Sequence, residues 1–190
     1  MELDEVINKR RSVRSFKGKS ASWKDVLEAI DAANQAPFAD NRNNLKFIVL
    51  EDKEKIATVA NLASQNWINE SGIVVIVCSD DGNLENMHGE RGRVYARQQA
   101  GGAIENFLLK IVDLGLSACW VGAFSDDLIK TKLKIPQNIQ IEAVIPVGYS
   151  KTAAEKKRKA ALENTIFWEE WDRNRRGPMF KENEDDFTAG

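Results

Sequence analysis

Residues 73 to 78 read Ile-Val-Val-Ile-Val-Cys, an unbroken apolar run made almost wholly of β-branched side chains. A run of that length and composition is the signature of a strand buried on both faces. A strand with no solvent face must lie inside a sheet that is covered above and below. Three further segments, 47–50, 118–124 and 139–147, read as its partners. Helical spacing fills the intervals. Ser22 followed by Asp25 resembles a capping box, and Val26, Leu27, Ile30 and Ala33 then recur at helical spacing up to Pro37. Residues 3–9, 53–64 and 126–133 read as shorter helices. The longest helix covers 93–114, with Tyr95, Ala103, Ile104, Phe107, Leu108 and Ile111 directed inward and Gly115 in the place of a left-handed cap. The fold class expected is α+β, α/β-like in its alternation, with a central mixed sheet covered by helices on both faces.

Composition narrows the function. The 190 residues carry 27 Lys and Arg against 29 Asp and Glu, a formal charge of −2. That balance argues against a general nucleic-acid binder. There is no long apolar span and no secretory leader pattern at Met1-Glu2-Leu3-Asp4, so a cytoplasmic protein without a membrane partner is expected. Cys78 and Cys119 each sit in an apolar run, outside any Cys-x-x-Cys pair, and read as buried small hydrophobes. The single histidine, His88, falls in a loop-like Met-His-Gly-Glu stretch. Neither a histidine-rich metal site nor a Ser-His-Asp triad has support, and no metal is expected. After Ser150 the composition turns charged, and Phe167, Trp168, Trp171 and Phe180 stand among many charges. Residues 1–164 are expected to form the domain, and 165–190 an arm that lies against a partner subunit.

The compact basic box Lys9-Arg10-Arg11-Ser12-Val13-Arg14-Ser15-Phe16 invites two readings. If extended, it projects Arg10, Ser12 and Arg14 to one side, a receptor for a phosphate dianion or an electron-rich ring edge. Alternatively Arg10 and Arg11 complement the C-terminal end of the first helix. Both readings stand on this box alone.

Four separated segments bear on the choice: the box at 10–16; the loop Ala36-Pro37-Phe38-Ala39-Asp40-Asn41-Arg42-Asn43-Asn44; the run from Ala103 to Leu109 leading to Leu114-Gly115-Leu116-Ser117-Ala118-Cys119-Trp120-Val121-Gly122-Ala123-Phe124; and Val144-Ile145-Pro146-Val147-Gly148-Tyr149 followed by Lys156-Lys157-Arg158. In this order and spacing the chain resembles the nitroreductase family of FMN-dependent oxidoreductases, from about Leu3 to Arg158. The resemblance implies an intertwined homodimer with FMN at the subunit interface. By it, Arg10, Arg11, Ser12 and Arg14 match the first FMN-binding segment, with Arg14 near the pyrimidine edge of the ring. Lys156 and Arg158 match the basic pair that closes on the phosphate. Val121, Gly122 and Ala123 match the turn that approaches the flavin. Pro37, Phe38, Ala39 and Asn41 match the segment that the other subunit lays over it.

The same resemblance implies an enzyme that takes hydride from NAD(P)H onto flavin N5. It then passes electrons to a small aromatic, quinone-like or nitro acceptor, in ping-pong fashion, with no catalytic side chain required. The loop departs from the family pattern: Phe38, Asp40, Asn43, Asn44 and Leu45 replace its Ser, Gly, Gln, Pro and Trp, and Gln99 stands where many members carry a carboxylate. A bulky Phe38 beside Asp40 suggests an unusual substrate pocket. The altered loop also motivates two alternatives, an FMN-binding storage, sensor or docking protein with little turnover, and a flavin-fragmenting or dehalogenating enzyme.

Overall fold

The computed structural model describes residues 1–152 and 159–173. The chain divides into two units, Met1–Glu155 and Lys156–Gly190, so the division falls ahead of residue 164, where composition placed it. The first unit runs α1 (Leu3–Lys9), α2 (Trp23–Asn34), β1 (Leu45–Leu50), α3 (Lys53–Leu62), β2 (Ile73–Ser79), α4 (Gly82–His88), α5 (Glu90–Asp113), β3 (Ser117–Ala118), α6 (Asp126–Leu133) and β4 (Gln140–Gly148).

Strand β2 is buried along its whole length. Its side chains alternate between two cores, as the pleat requires. Ile73, Val75 and Val77 join Val26, Ala29 and Ala33 of α2 and Ala103, Ile104, Phe107 and Ile111 of α5. Val74, Ile76 and Cys78 join Ile56, Val59 and Ala60 of α3, Ile129 of α6 and Cys119. Helices therefore cover both faces, and both cysteines are buried.

The sheet order is β1-β2-β4-β3, and every strand pair is antiparallel. The expected mixed sheet is thus corrected. Periodicity reads the burial of a strand but not its direction, and the parallel pairing present is a single bridge, Ser12 to Ala118. The expected strand 118–124 is also shorter. Ser117 opposes Gly148 and Ala118 opposes Val147. The next partner in that register is Pro146, which has no N–H to return, so regular pairing stops after two residues. Cys119 donates its N–H to the Pro146 carbonyl at 3.3 Å, and the ladder closes once more at Val121 and Val144, 3.0 Å in each direction.

Strand β4 carries a bulge. Val77 opposes Ala143 while Cys78 opposes Ile141, leaving Glu142 as the extra residue. The bulge switches the phase of the strand, so Ala143, Ile145 and Val147 face the first core while Ile141 faces the second.

Local signals explain the helix ends. Ser22 caps α2 by accepting the Lys24 N–H at 3.2 Å, and Asp52 caps α3 from Lys55 at 2.9 Å. Gly115, at φ +75°, closes α5 in a Schellman arrangement: its N–H reaches Val112 and that of Leu116 reaches Ile111. Two expectations differ. Ala96, not Tyr95, is the fully buried residue in the second turn of α5. His88 ends α4, a helix not expected from sequence. In the second unit, Phe167 and Trp171 lie with ring centroids 4.8 Å apart; Phe180 lies outside the described residues.

Gly72 precedes β2 where two chain segments nearly touch. A Cβ there would sit 2.4 Å from the Ser20 Cα and 2.9 Å from the Ala21 nitrogen, both backbone atoms that cannot turn aside. Gly72→Ala is expected to lose about 1–3 kcal/mol of stability, the usual scale for overpacking. A urea midpoint equal to that of the unaltered protein would show the two segments to be separable.

Candidate active site

The basic box leaves α1 as an extended edge beside the shortened β3. Val13 donates its N–H to the Ala118 carbonyl at 3.0 Å, Lys17 to Tyr149 at 2.9 Å, and Lys151 to Ser15 at 3.1 Å. Val13 and Phe16 point inward and are buried, while Ser12 and Arg14 face solvent. The three polar residues of one side all act on one sulfur. Burial pushes the Cys119 thiol above its ordinary range, and Arg14, the Ser12 hydroxyl and Arg10 pull it partly back. The extended reading of the box therefore holds.

The four basic and hydroxyl residues differ in how committed they are. Arg10 pairs through Nε with Glu105 of α5 at 3.1 Å. Arg11 folds back, donating from Nη1 to the Arg10 carbonyl at 2.6 Å. Arg14 has no carboxylate partner among the described residues. It is a cation held at the edge of β3 with its charge unanswered.

Past Val121 the chain leaves the sheet. Val121 is buried, with its N–H and carbonyl both engaged by Val144, so its backbone donor is already used. Gly122 and Ala123 are exposed, and among the described residues their N–H groups have no partner. A Cβ built on Gly122 meets no atom within 4 Å, so the space in front of this turn is open. Two consecutive free donors, an unpaired guanidinium and a hydroxyl thus share one edge. Gly122 lies three residues from Cys119, its Cα within roughly 10 Å of the Cys119 Cα. This donor set fits a planar, electron-rich ring that carries an anionic tail.

The 37–44 loop stands elsewhere. Ala39–Asn41 form a single 3-10 turn in which Asp40 and Asn41 take φ of +50° and +55°. Asp40 reaches His88 Nε2 at 2.7 Å, and His88 meets the Tyr95 ring edge-on at 5.3 Å. Gln99 of α5 accepts the Ala39 N–H at 3.1 Å. Phe38 is half-buried against the first core, which anchors the loop. Pro37 and Ala39 line a small open cleft with Tyr95, Gln98, Gln99 and Gly102.

The loop enters β1, whose Leu45 is level with Ser79 and so with Gln140. The edge at Ala118 is level with Val147 and so with Ile73. The two lie at opposite edges and opposite ends of the sheet. Three strand spacings separate them across it, about 14 Å, and six residues along it, about 20 Å. No hydrogen bond or ion pair among the described residues joins 37–41 to 10–14. Within one chain the expected site residues form two separate groups. Lys156 and Arg158 lie outside the described residues.

Sequence reasoning did not find Glu70. It accepts the Phe16 N–H at 3.2 Å and pairs with Lys151 at 2.9 Å, tying both ends of the edge together. No local motif announces it, because both partners are far away in sequence. Trp67, in the preceding 3-10 turn, stacks on Phe16 at 6.3 Å.

A Nitroreductase family model matches residues 7–81 and 59–149. The chain is 28% identical over 154 residues, 78% of each chain, to a Methanothermobacter thermautotrophicus protein whose name assigns it to the NADH dehydrogenases/NAD(P)H nitroreductases. It is 24% identical over 132 residues to the FMN reductase [NAD(P)H] of Bacillus subtilis, covering 67% of this chain and 51% of that one. The solved structure of a nitroreductase family protein from Clostridium novyi NT superposes with a TM-score of 0.73 at 27% identity, covering 92% of this chain and 97% of that one. The chain belongs to the nitroreductase family and is an oxidoreductase.

Lys151 and the Phe16 N–H hold the Glu70 carboxyl below its ordinary value of 4.5. A carboxyl depressed in the folded state contributes stability that is fully present above its unfolded value and fades as pH falls through the folded one. The melting temperature of Glu70→Gln should therefore lie below that of the parent at pH 7, with the gap closing as pH drops under 4.5. A gap that is constant from pH 7 to 3 would place the Glu70 contribution outside its charge.

Proposed function

We propose that the protein is an FMN-dependent NAD(P)H oxidoreductase that works as a homodimer and reduces a small aromatic, quinone-like or nitro acceptor. The observation that carries this reading is the edge itself, with the free N–H groups of Gly122 and Ala123 beside an unpaired Arg14 and an open space in front of them. When bound, FMN supplies the two-electron redox chemistry that no side chain of this chain carries. Arg14 is a fixed positive charge beside the ring, where it favours the state with more electrons. Gly122 and Ala123 donate hydrogen bonds to the ring. Ser12 and Arg10, with Lys156 and Arg158, bind the phosphate; the Glu105 carboxylate holds the Arg10 fork in place for it. Arg11, turned back on the Arg10 carbonyl, stiffens the turn rather than reaching the cofactor.

The dimer follows from the separation of the two groups. A loop at the far corner of the sheet cannot roof the edge of its own chain. The Pro37–Asn41 segment of a second copy does so, and excludes water there. NAD(P)H and the acceptor take the same open face in turn. The arm beyond residue 164 lies on the partner subunit. The enzyme acts in the cytoplasm in this reading, and no described helix is long and apolar enough to cross a membrane.

Anaerobic mixing of the FMN-loaded protein with NADH or NADPH tests the activity. The yellow absorbance should bleach within seconds and return when a quinone is added. A flavin that stays oxidised with both nucleotides would favour the storage or docking alternative. Binding tests the edge independently. Arg14→Ala should weaken FMN binding about tenfold, the factor for about 1.4 kcal/mol, which is modest for a charge-assisted contact. Its melting temperature should not change, since Arg14 has no ion-pair partner among the described residues. Unchanged FMN affinity would remove Arg14 from the site.

A further inference from the structure

The 39–44 loop turns through two consecutive left-handed residues. Asp40 and Asn41 are consecutive non-glycine residues in the left-handed region, which L side chains enter at a cost. Asp and Asn tolerate that region better than other side chains, and contacts from outside the loop hold it further. Gln99 is 5% exposed and uses both ends of its amide on the loop. Its Oε1 accepts the Ala39 N–H at 3.1 Å, and its Nε2 donates to the Arg42 carbonyl at 3.3 Å and to Asn44 Oδ1 at 2.5 Å. One side chain therefore spans the loop from its first turn to its last residue.

Asn44 carries the link onward. It is 9% exposed, its Nδ2 donates to Asp81 at 3.4 Å, and its carbonyl accepts the Asp80 N–H at 2.9 Å. Asp81 pairs with Arg97, which also reaches Ser79 Oγ and Glu142, each at 2.8 Å. Glu142 is the bulged residue of β4 and accepts from Ser79. The chain Gln99–Asn44–Asp81–Arg97–Glu142 thus ties the loop to the rigid centre of the sheet. The second tether, Asp40 to His88, is a half-exposed hydrogen bond that holds only the tip.

We propose that Gln99 and Asn44 are positioning residues that set the shape of the 39–44 loop and so decide which acceptors the enzyme accepts. This rests on the reading that the loop roofs the active site of a second copy. Neither residue touches flavin or acceptor in this account. A glutamine is needed because the loop offers one donor and two acceptors to the same point, and a carboxylate could answer only the donor. Asn44 matches it by presenting an acceptor inward and a donor toward Asp81.

Gln99→Met keeps the length of the side chain and removes all three bonds. Trypsin provides a local readout, because Arg42 is exposed and lies between the two clamped points. Under native conditions cleavage after Arg42 follows the population of the opened loop. In full-length Gln99→Met, mass spectrometry should show that cleavage about tenfold faster than in the parent, the factor for about 1.4 kcal/mol. The steady-state KM for a quinone acceptor should rise about fivefold while kcat stays within about twofold, the pattern of lost acceptor binding rather than lost chemistry. Gln99→Glu retains the acceptor for Ala39 and should move both readouts the same way by less; it decides the matter if Gln99→Met does not fold. Cleavage and KM at parental values in a folded variant would overturn the proposal. Faster cleavage with unchanged KM would overturn it too, leaving a structural brace. Failure of the parent to bind FMN would instead strike the functional reading, with Arg42 cleavage still reporting the clamp.

Discussion

Burial of β2 on both faces is the constraint from which the rest of the structure follows. Seven consecutive residues without a solvent face commit the chain to two cores, one under α2 and α5 and one under α3 and α6. With β2 and β4 paired in the middle, β1 and β3 become the opposite edges of the sheet. The polar segments that could carry chemistry are attached to those edges, since the interior has no room for them. Antiparallel pairing then sends the loop before β1 and the basic edge beside β3 to diagonal corners.

A local event at each corner turns scaffold into site. On the β3 side, Pro146 withholds an N–H where the ladder needs one, and the pairing fails after Ala118. The last bond is made at Val121, so the next two N–H groups emerge from the sheet free. A continuous strand would have spent the Ala123 N–H on β4. At the β1 corner the loop turns through the left-handed Asp40 and Asn41 and is held from beneath by Gln99 and Asn44. One corner is a set of free donors and the other is a braced loop.

Much of this was legible in the sequence, and the parts that were not share a cause. The Ile73–Cys78 run announced the central strand, Ser22 and Gly115 marked helix ends, and the alternation of Arg10, Ser12 and Arg14 predicted three side chains on one side. Each of those signals acts within a few residues. Strand direction was illegible, because periodicity is the same either way, and so the sheet was expected to be mixed. The break after Ala118 could not be read from Cys119-Trp120-Val121; it depends on Pro146 lying opposite, a fact of register. Glu70, Glu105 and the roles of Gln99 and Asn44 were missed for the same reason, since each bond joins residues tens of positions apart.

The central claim is that the site is completed only when the Gly122–Ala123 edge of one copy meets the 37–41 loop of another. A crystal structure of the FMN-loaded protein tests it most directly. The account predicts a dimer in which the isoalloxazine ring lies against the Gly122 and Ala123 N–H groups with Arg14 at its edge, roofed by the loop of the neighbouring subunit. A flavin bound away from that edge, or roofed by the loop of its own chain, would contradict it.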